Sequence, residues 1–478
     1  MYSFWNYFLT LPKRQMVRPW ALAAPVLVLI VALPLLRPLR SPDSDSMSAN
    51  ELTRLATIQS LGENHGQEIE SSSFYNILRQ RDFSHPPETV QIQNHVYSDK
   101  APVLAMLLSG PYMLLRECGL SFHNNSSLVM YLLTIIGAVI PVAASAGMVY
   151  RMGRLFELKR PWRAALALAV AFGSGLISYA VVLNAHAPAA ALVIGACACL
   201  VHITVTKDPT RTGAWLMVSG LCAAFASVID PTAIFFLIGL MLVITNLRWR
   251  KRLRFGGVLL YVIGALPPLA LHAVLTIPIT GDLLPPSLHA ELQPHEPRPA
   301  LVDVFADSTD EEAAKNSWSH RSVFQATRLL GALVGSHGIF SHFPVVILGV
   351  MGITLVLRRH WPIATKTMAA ITLAGGCLIV LSYVFLSGSW ANSMFGPRWS
   401  IAFLPLLLFW AGAWLRKKHH PITWSAAALL LAFSISVSLL GTIAPFMNAP
   451  GQYTALAAVR QWLHPTPQAF DRPVIASN

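Results

Sequence analysis

About eleven apolar stretches of membrane-crossing length constrain this chain more than any other feature. They run near 21–39, 127–150, 164–182, 187–206, 212–229, 231–247, 256–277, 343–357, 364–386, 399–415 and 422–445. With flanking residues, each is long enough as a helix for a hydrocarbon layer of roughly 30 Å. Only 12% of the residues are charged against 54% hydrophobic, and the mean hydropathy is +0.53. Such a balance predicts an all-α polytopic membrane protein. The net charge of +13 falls in short clusters between apolar runs, as membrane topology requires, so nucleic acid is not expected as a partner.

Those clusters also set the sidedness. "KRQMVR", "RMGRLFELKRPWR", "TKDPTR", "RWRKRLR", "RRHW" and "RKKHH" fall on one side of the spans, which the positive-inside rule makes cytoplasmic. The expected organisation is a transmembrane domain over 1–445 with outer loops 40–126 and 278–342, followed by an extracytoplasmic tail over 446–478. The N-terminus is then cytoplasmic and the membrane is the plasma (inner) membrane. The first run follows "KRQMVRPW" and has no small-residue cleavage site, so it is expected to be a retained span. Residues 101–116, "APVLAMLLSGPYMLLR", are short and contain a Gly-Pro. A crossing there would invert the charge pattern, so an interfacial or re-entrant helix is expected.

Ionisable residues are nearly absent from the spans; His272 and Lys366 lie in or near span ends, and Asp230 lies in the "VIDPTA" turn. Burying charge in lipid costs several kcal/mol, and coupled transporters keep such residues along their paths. Attention therefore moves to the outer loops. The five cysteines lie mostly in apolar spans and read as packing residues. Asp310, Glu311 and Glu312 read as a helix start, and the histidines lack metal-ligand spacing. No metal and no cofactor are assigned.

Three outer segments carry chemistry. "SANELTR" opens an amphipathic helix, with Leu52, Leu55, Ile58 and Leu61 as its apolar stripe and Glu51 and Arg54 on its polar side. Ser48 and Glu51 also have capping-box spacing. In "YSDKAP", Asp99 and Lys100 precede Pro102, which stiffens the start of an apolar helix and holds the lysine at interface depth. A lysine there snorkels or neutralises a lipid phosphate. In "FGPRW", Gly396 and Pro397 bend the chain before a span and present Arg398, whose planar fork suits phosphate oxygens.

With "NAHAPAAAL" and "GSHGIFSHFPVVIL", these segments make the chain resemble the GT-C membrane glycosyltransferases, including the protein O-mannosyltransferases and the bacterial transferase that adds aminoarabinose to lipid A. The resemblance covers most of the chain. In that family an acidic "DExR" motif in the first outer loop carries the essential carboxylate, and a lysine in "K-P-P" contacts the carrier phosphate. Asn50-Glu51-x-x-Arg54 stands at the first motif and Lys100-Ala101-Pro102 at the second, with Asn50 in place of the family's aspartate. Glu51 then takes the catalytic role, or Asp99 does, or the activity is altered.

The resemblance implies sugar transfer from a polyprenyl-phosphate-linked donor to a lipid, glycan or protein acceptor at the outer face. Glu51, held ionised by Arg54, is the first choice for the group that takes the acceptor proton in an inverting displacement. Lys100 and Arg398 stabilise the leaving phosphate. Asn50, Arg54, Tyr97 and His186 are carried over as substrate-binding residues. The alternative is a non-enzymatic polyprenyl-lipid flippase or glycolipid-binding membrane protein.

Overall fold

The structure, a computed structural model, describes residues 19–40, 47–82, 88–206, 211–250, 256–289, 318–386, 395–445 and 453–463. The N-terminal basic cluster, Asp310, Glu311 and Glu312, and the parts of the tail at 446–452 and 464–478 lie outside the described residues.

By length and composition, eight described helices suffice to cross a membrane: Pro19–Leu39, Ser126–Phe156, His186–Thr206, Thr212–Ile229, Pro231–Trp249, Gly256–Thr280, Ile363–Phe385 and Pro421–Ile443. A ninth candidate is the pair Gln325–His342 and Val346–Arg358, bent by 95°. The expected spans differ from these at three places. The stretch 164–182 is a helix, Arg160–Gly173, interrupted at Ser174-Gly175 and resumed as Leu176–Ala180. The stretch 343–357 is the 13-residue Val346–Arg358, and 399–415 shrinks to Leu404–Leu415. Every residue from Leu404 to Trp414 is buried, so this last segment is apolar because protein surrounds it.

Close helix crossings hold the bundle. A Cβ on Gly220 would stand 2.0 Å from the Tyr261 carbonyl oxygen, and one on Gly264 would stand 2.0 Å from that of Met217. The helices Thr212–Ile229 and Gly256–Thr280 therefore touch backbone to backbone. Between membrane helices, where burial from water gives no drive, such dispersion contact is the main attraction.

The long connection after the first span folds over one end of the bundle, and its core is shared with Leu133, Leu183, Ala189, Val228 and Leu275 of the bundle. Its helix Ala49–Glu63 starts at Ser48, whose Oγ accepts the Glu51 N–H at 3.2 Å. Leu52, Leu55 and Ile58 are buried as the periodicity predicts. The polar side is not solvated, however: all residues from Asn50 to Gly62 are buried. Its polar groups are satisfied internally, as burial demands. Gln59 Oε1, for example, accepts from Ser72 Oγ at 2.8 Å and from Ser73 N and Oγ at 3.1 and 3.0 Å. Against it packs Val103–Glu117, a 15-residue helix of about 22 Å. Its Leu104, Leu108 and Tyr112 are buried while Met106, Leu107 and Leu114 are exposed.

Among the described residues the departure from an all-helical fold is one hairpin, β1 (Thr89–Ile92) and β2 (His95–Ser98), paired antiparallel from Thr89↔Ser98 to Ile92↔His95. Gln93 and Asn94 both have positive φ, 51° and 68°, the two-residue turn whose twist matches the strands.

Candidate active site

The hairpin register places the first charged groups. Since Thr89 pairs with Ser98, Glu88 and Asp99 are the next residues across the ladder, and the Asp99 N–H donates to the Glu88 carbonyl at 3.2 Å. Lys100 Nζ then lies 3.0 Å from Glu88 Oε2 and 3.0 Å from Asp99 Oδ2. Burial pushes the Asp99 carboxyl up to about 6; Lys100 opposes the rise and Glu88 adds to it. Burial also raises Glu88, but Lys100 and then Arg398 outweigh it and hold that carboxyl below its ordinary value. Asp99 Oδ1 has no hydrogen-bond partner among the described residues.

Arg398 arrives from the far end of the sequence on a tight turn. Gly396 has φ +64°, a conformation that glycine adopts without steric cost. Pro397, at φ −80° and ψ 66°, makes an inverse γ-turn, and the Arg398 N–H donates to the Gly396 carbonyl at 2.9 Å. The Gly396 N–H donates to Thr454 Oγ1 at 3.2 Å. His342 Nδ1 donates to the Gly338 carbonyl at 2.9 Å, which leaves Nε2 to accept from the Thr454 hydroxyl at 2.6 Å. The described part of the C-terminal tail is thus a helix, Thr454–Leu463, docked on the turn that carries Arg398. The arginine's Cζ lies 5.0 Å from the Trp399 ring, and its Nε and Nη1 have no partner among the described residues.

A third element brings His186 to the same place. Asn184 ties the chain before the helix His186–Thr206: its Oδ1 accepts the Ala187 N–H at 2.9 Å and its Nδ2 donates to the Tyr179 and Val182 carbonyls. His186 Nδ1 lies 2.7 Å from Asp230 Oδ2, while Asp230 Oδ1 accepts from Thr232 N at 3.2 Å and Thr232 Oγ1 at 2.8 Å. Burial raises the Asp230 carboxyl, but His186 and Thr232 together hold it below its ordinary value. The His186 ring lies 6.0 Å from that of Trp399 and 6.0 Å from that of Tyr179.

Arg54 links these groups. Glu88, Asp99 and Asp230 all act on its charge, against a burial that lowers its pKa, and its Nε donates to Asn50 Oδ1 at 3.3 Å. Tyr97 lines a small recess with Lys100, Thr57, Gln67 and Thr276. The expected residues Asn50, Arg54, Tyr97, Asp99, Lys100, His186 and Arg398 thus gather at one end of the bundle.

Glu51 does not join them. It is 1% exposed; Arg37 Nη2 donates to its Oε1 at 3.0 Å and Arg37 Nε lies 2.7 Å from its Oε2. The expected Glu51–Arg54 pair is replaced by Glu51–Arg37. Arg54 bonds one turn back to Asn50, and Arg37 reaches inward from the end of the first span, where its N–H donates to the Val181 carbonyl at 3.0 Å. Burial pushes Glu51 up against the pull of Arg37 and a hydrogen bond from the Leu183 backbone.

Three contributors escaped sequence reasoning: Arg37, Glu88 and Asp230. Glu88 was findable from "TVQIQNHVYS", which alternates around a two-residue turn and sets Glu88 opposite Asp99.

Neither a family model nor a curated protein matches the sequence. Solved structures do match. The apo oligosaccharyltransferase of Archaeoglobus fulgidus is 12% identical with a TM-score of 0.51, over 96% of this chain and 59% of its own length. ArnT from Cupriavidus metallidurans bound to undecaprenyl phosphate is 10% identical with a TM-score of 0.50, over 94% of this chain and 72% of its own. The chain shares the fold of these two proteins. It spans less than two thirds of the oligosaccharyltransferase, and at these identities the likeness is one of fold.

Proposed function

We propose that the protein transfers a sugar from a polyprenyl-phosphate-linked donor to an acceptor at the extracytoplasmic face of the plasma membrane, with inversion at the anomeric carbon. The observation that carries this reading is the convergence of Lys100 and Arg398 on Glu88. Lys100 touches that carboxylate directly, and Arg398, from much later in the chain, acts on it through its charge. They do so in a fold shared with a protein solved with undecaprenyl phosphate bound.

A lipid-linked donor enters sideways from the bilayer, so its phosphate must be met at interface depth. Lys100 and Arg398 take that phosphate and stabilise the negative charge that grows on it as the sugar leaves. Glu88 and Asp99 hold the lysine until the phosphate arrives. Asn50 orients Arg54 toward the acids, and Tyr97 lines the approach beside Lys100. Glu51, its charge already satisfied by Arg37, braces the first outer loop against the first span and does not take the acceptor's proton.

The test is turnover of defined donors. Purified protein, incubated with undecaprenyl-phosphate-linked hexoses or aminoarabinose and with membrane lipid, glycan or protein fractions, should release undecaprenyl phosphate and add one sugar mass to an acceptor by mass spectrometry. Lipid binding with no turnover of any donor would leave a glycolipid-binding protein instead.

A further inference from the structure

We propose that the His186–Asp230 pair is the general base that takes the acceptor's proton, a role that rests on the transfer reading above. An inverting displacement needs a proton acceptor on the face of the sugar opposite the leaving group. Asn50 has no basic side chain, Glu51 is sealed by Arg37, and Asp99 shares Lys100 with Glu88 on the phosphate side.

His186 meets the requirement by position. The Trp399 indole has the Arg398 guanidinium 5.0 Å from its ring and the His186 ring 6.0 Å away. Phosphate-binding cation and imidazole therefore both border that indole, whose buried Nε1 has no partner among the described residues and is free to donate to a sugar hydroxyl.

The hydrogen bonds fix the imidazole's chemistry. Asp230 takes two hydrogen bonds from Thr232 on Oδ1, so its Oδ2 is an anionic acceptor 2.7 Å from His186 Nδ1. The Nδ1–H donates to it, the neutral ring carries its lone pair on Nε2, and the carboxylate stabilises the imidazolium that forms. The acceptor oxygen bonds to the anomeric carbon as the carbon–phosphate oxygen bond breaks, and that bond's electron pair stays on the phosphate. The acceptor proton moves to Nε2 and then to water. The groups around the pair that tune it are Asp230, Tyr179, Arg398 beside Trp399, and Arg54 and Tyr383, both of which sense Asp230.

His186→Asn separates a base from a brace, because the asparagine amide replaces Nδ1 toward Asp230 and supplies no base. We expect a loss of turnover of about a hundredfold or more, undecaprenyl phosphate binding within a few fold of wild type by native mass spectrometry, and a residual rate without the acid limb of the pH profile. Asp230→Asn should move that limb. If His186→Asn does not fold, His186→Gln is read the same way. A variant that turns over within a few fold of wild type with the acid limb intact overturns the dyad. So does one whose loss is matched by lost lipid binding. The wild-type rate tests the transfer reading separately: no turnover of any donor removes that reading and the dyad with it, whereas an active wild type with an equally active variant removes the dyad alone.

Discussion

Arg37 engages both carboxylate oxygens of Glu51, through Nη2 at 3.0 Å and Nε at 2.7 Å, in a pair of which neither side chain is more than 4% exposed. A motif glutamate in the connection after the first span is thereby tied to the end of that span.

Removing one partner should therefore unfold before it inactivates. Glu51→Gln strands a buried guanidinium and should cost about 3–5 kcal/mol, read as a large drop in the thermal midpoint of the purified protein. The double variant Arg37→Met/Glu51→Leu should regain most of it. A Glu51→Gln protein as stable as wild type but inactive would return the catalytic role to Glu51.

The proposed phosphate site makes a binding prediction. Lys100→Ala and Arg398→Ala should each weaken undecaprenyl phosphate binding about tenfold or more, near 1.4 kcal/mol, with little change in thermal midpoint. Glu88→Gln, which removes the anion competing for both cations, should strengthen it. Equal effects on stability and binding would mean that the cations only hold the loop.

Asp99 should make that binding depend on pH. Its carboxyl titrates near 6, so at lower pH it is neutral and Lys100 has one anionic partner fewer; as pH rises through about 6, Asp99 ionises and competes with the lipid phosphate. The lipid's own second ionisation, also near 6, favours binding as pH rises and is common to all variants. Comparing wild type with Asp99→Asn cancels it. The wild type should lose affinity relative to the variant as pH rises from 5 to 8, with Glu88 and Arg54 the other charges in reach; parallel curves would exclude Asp99 as the group responsible.

Thr454→Val should loosen the turn without breaking the bundle. It deletes the hydroxyl that joins His342 to the Gly396 N–H, at about 1–3 kcal/mol for the group left unsatisfied. Undecaprenyl phosphate binding should weaken while the helices stay intact by circular dichroism. Unchanged binding would show that the C-terminal helix does not position Arg398.

Gly220→Ala and Gly264→Ala should each cost about 3 kcal/mol or more, the upper end of the usual overpacking range, because the added methyl meets a carbonyl oxygen of the facing helix rather than a side chain that can move. A normal thermal midpoint in either variant would refute the close crossing.

Much of this was legible in local patterns. "NELTR", "YSDKAP" and "FGPRW" led to Arg54, Lys100 and Arg398 because a bend or a cap fixes each residue within a few positions of itself. Arg37 was not legible, because at a span end it reads as a topological charge. Asp230 read as a turn residue, and only the packing of the helices His186–Thr206 and Thr212–Ile229 sets it beside His186. Three of the expected spans are short or broken as helices, which hydropathy alone does not reveal because it measures burial and does not separate lipid from protein as the cover.

The segment Leu404–Leu415 has a consequence for how the protein is made. Twelve helical residues reach about 18 Å, well short of a hydrocarbon layer of roughly 30 Å, so the segment inserts poorly by itself. It acquires a stable place only when Arg160–Gly173, His186–Thr206, Val346–Arg358 and Ile363–Leu386, which pack on it, are already in the membrane. Arg398 rides on the turn just before it. The cation at the head of this segment is therefore delivered late, and a chain truncated before residue 395 would carry Lys100 in place with half of the proposed phosphate site unbuilt.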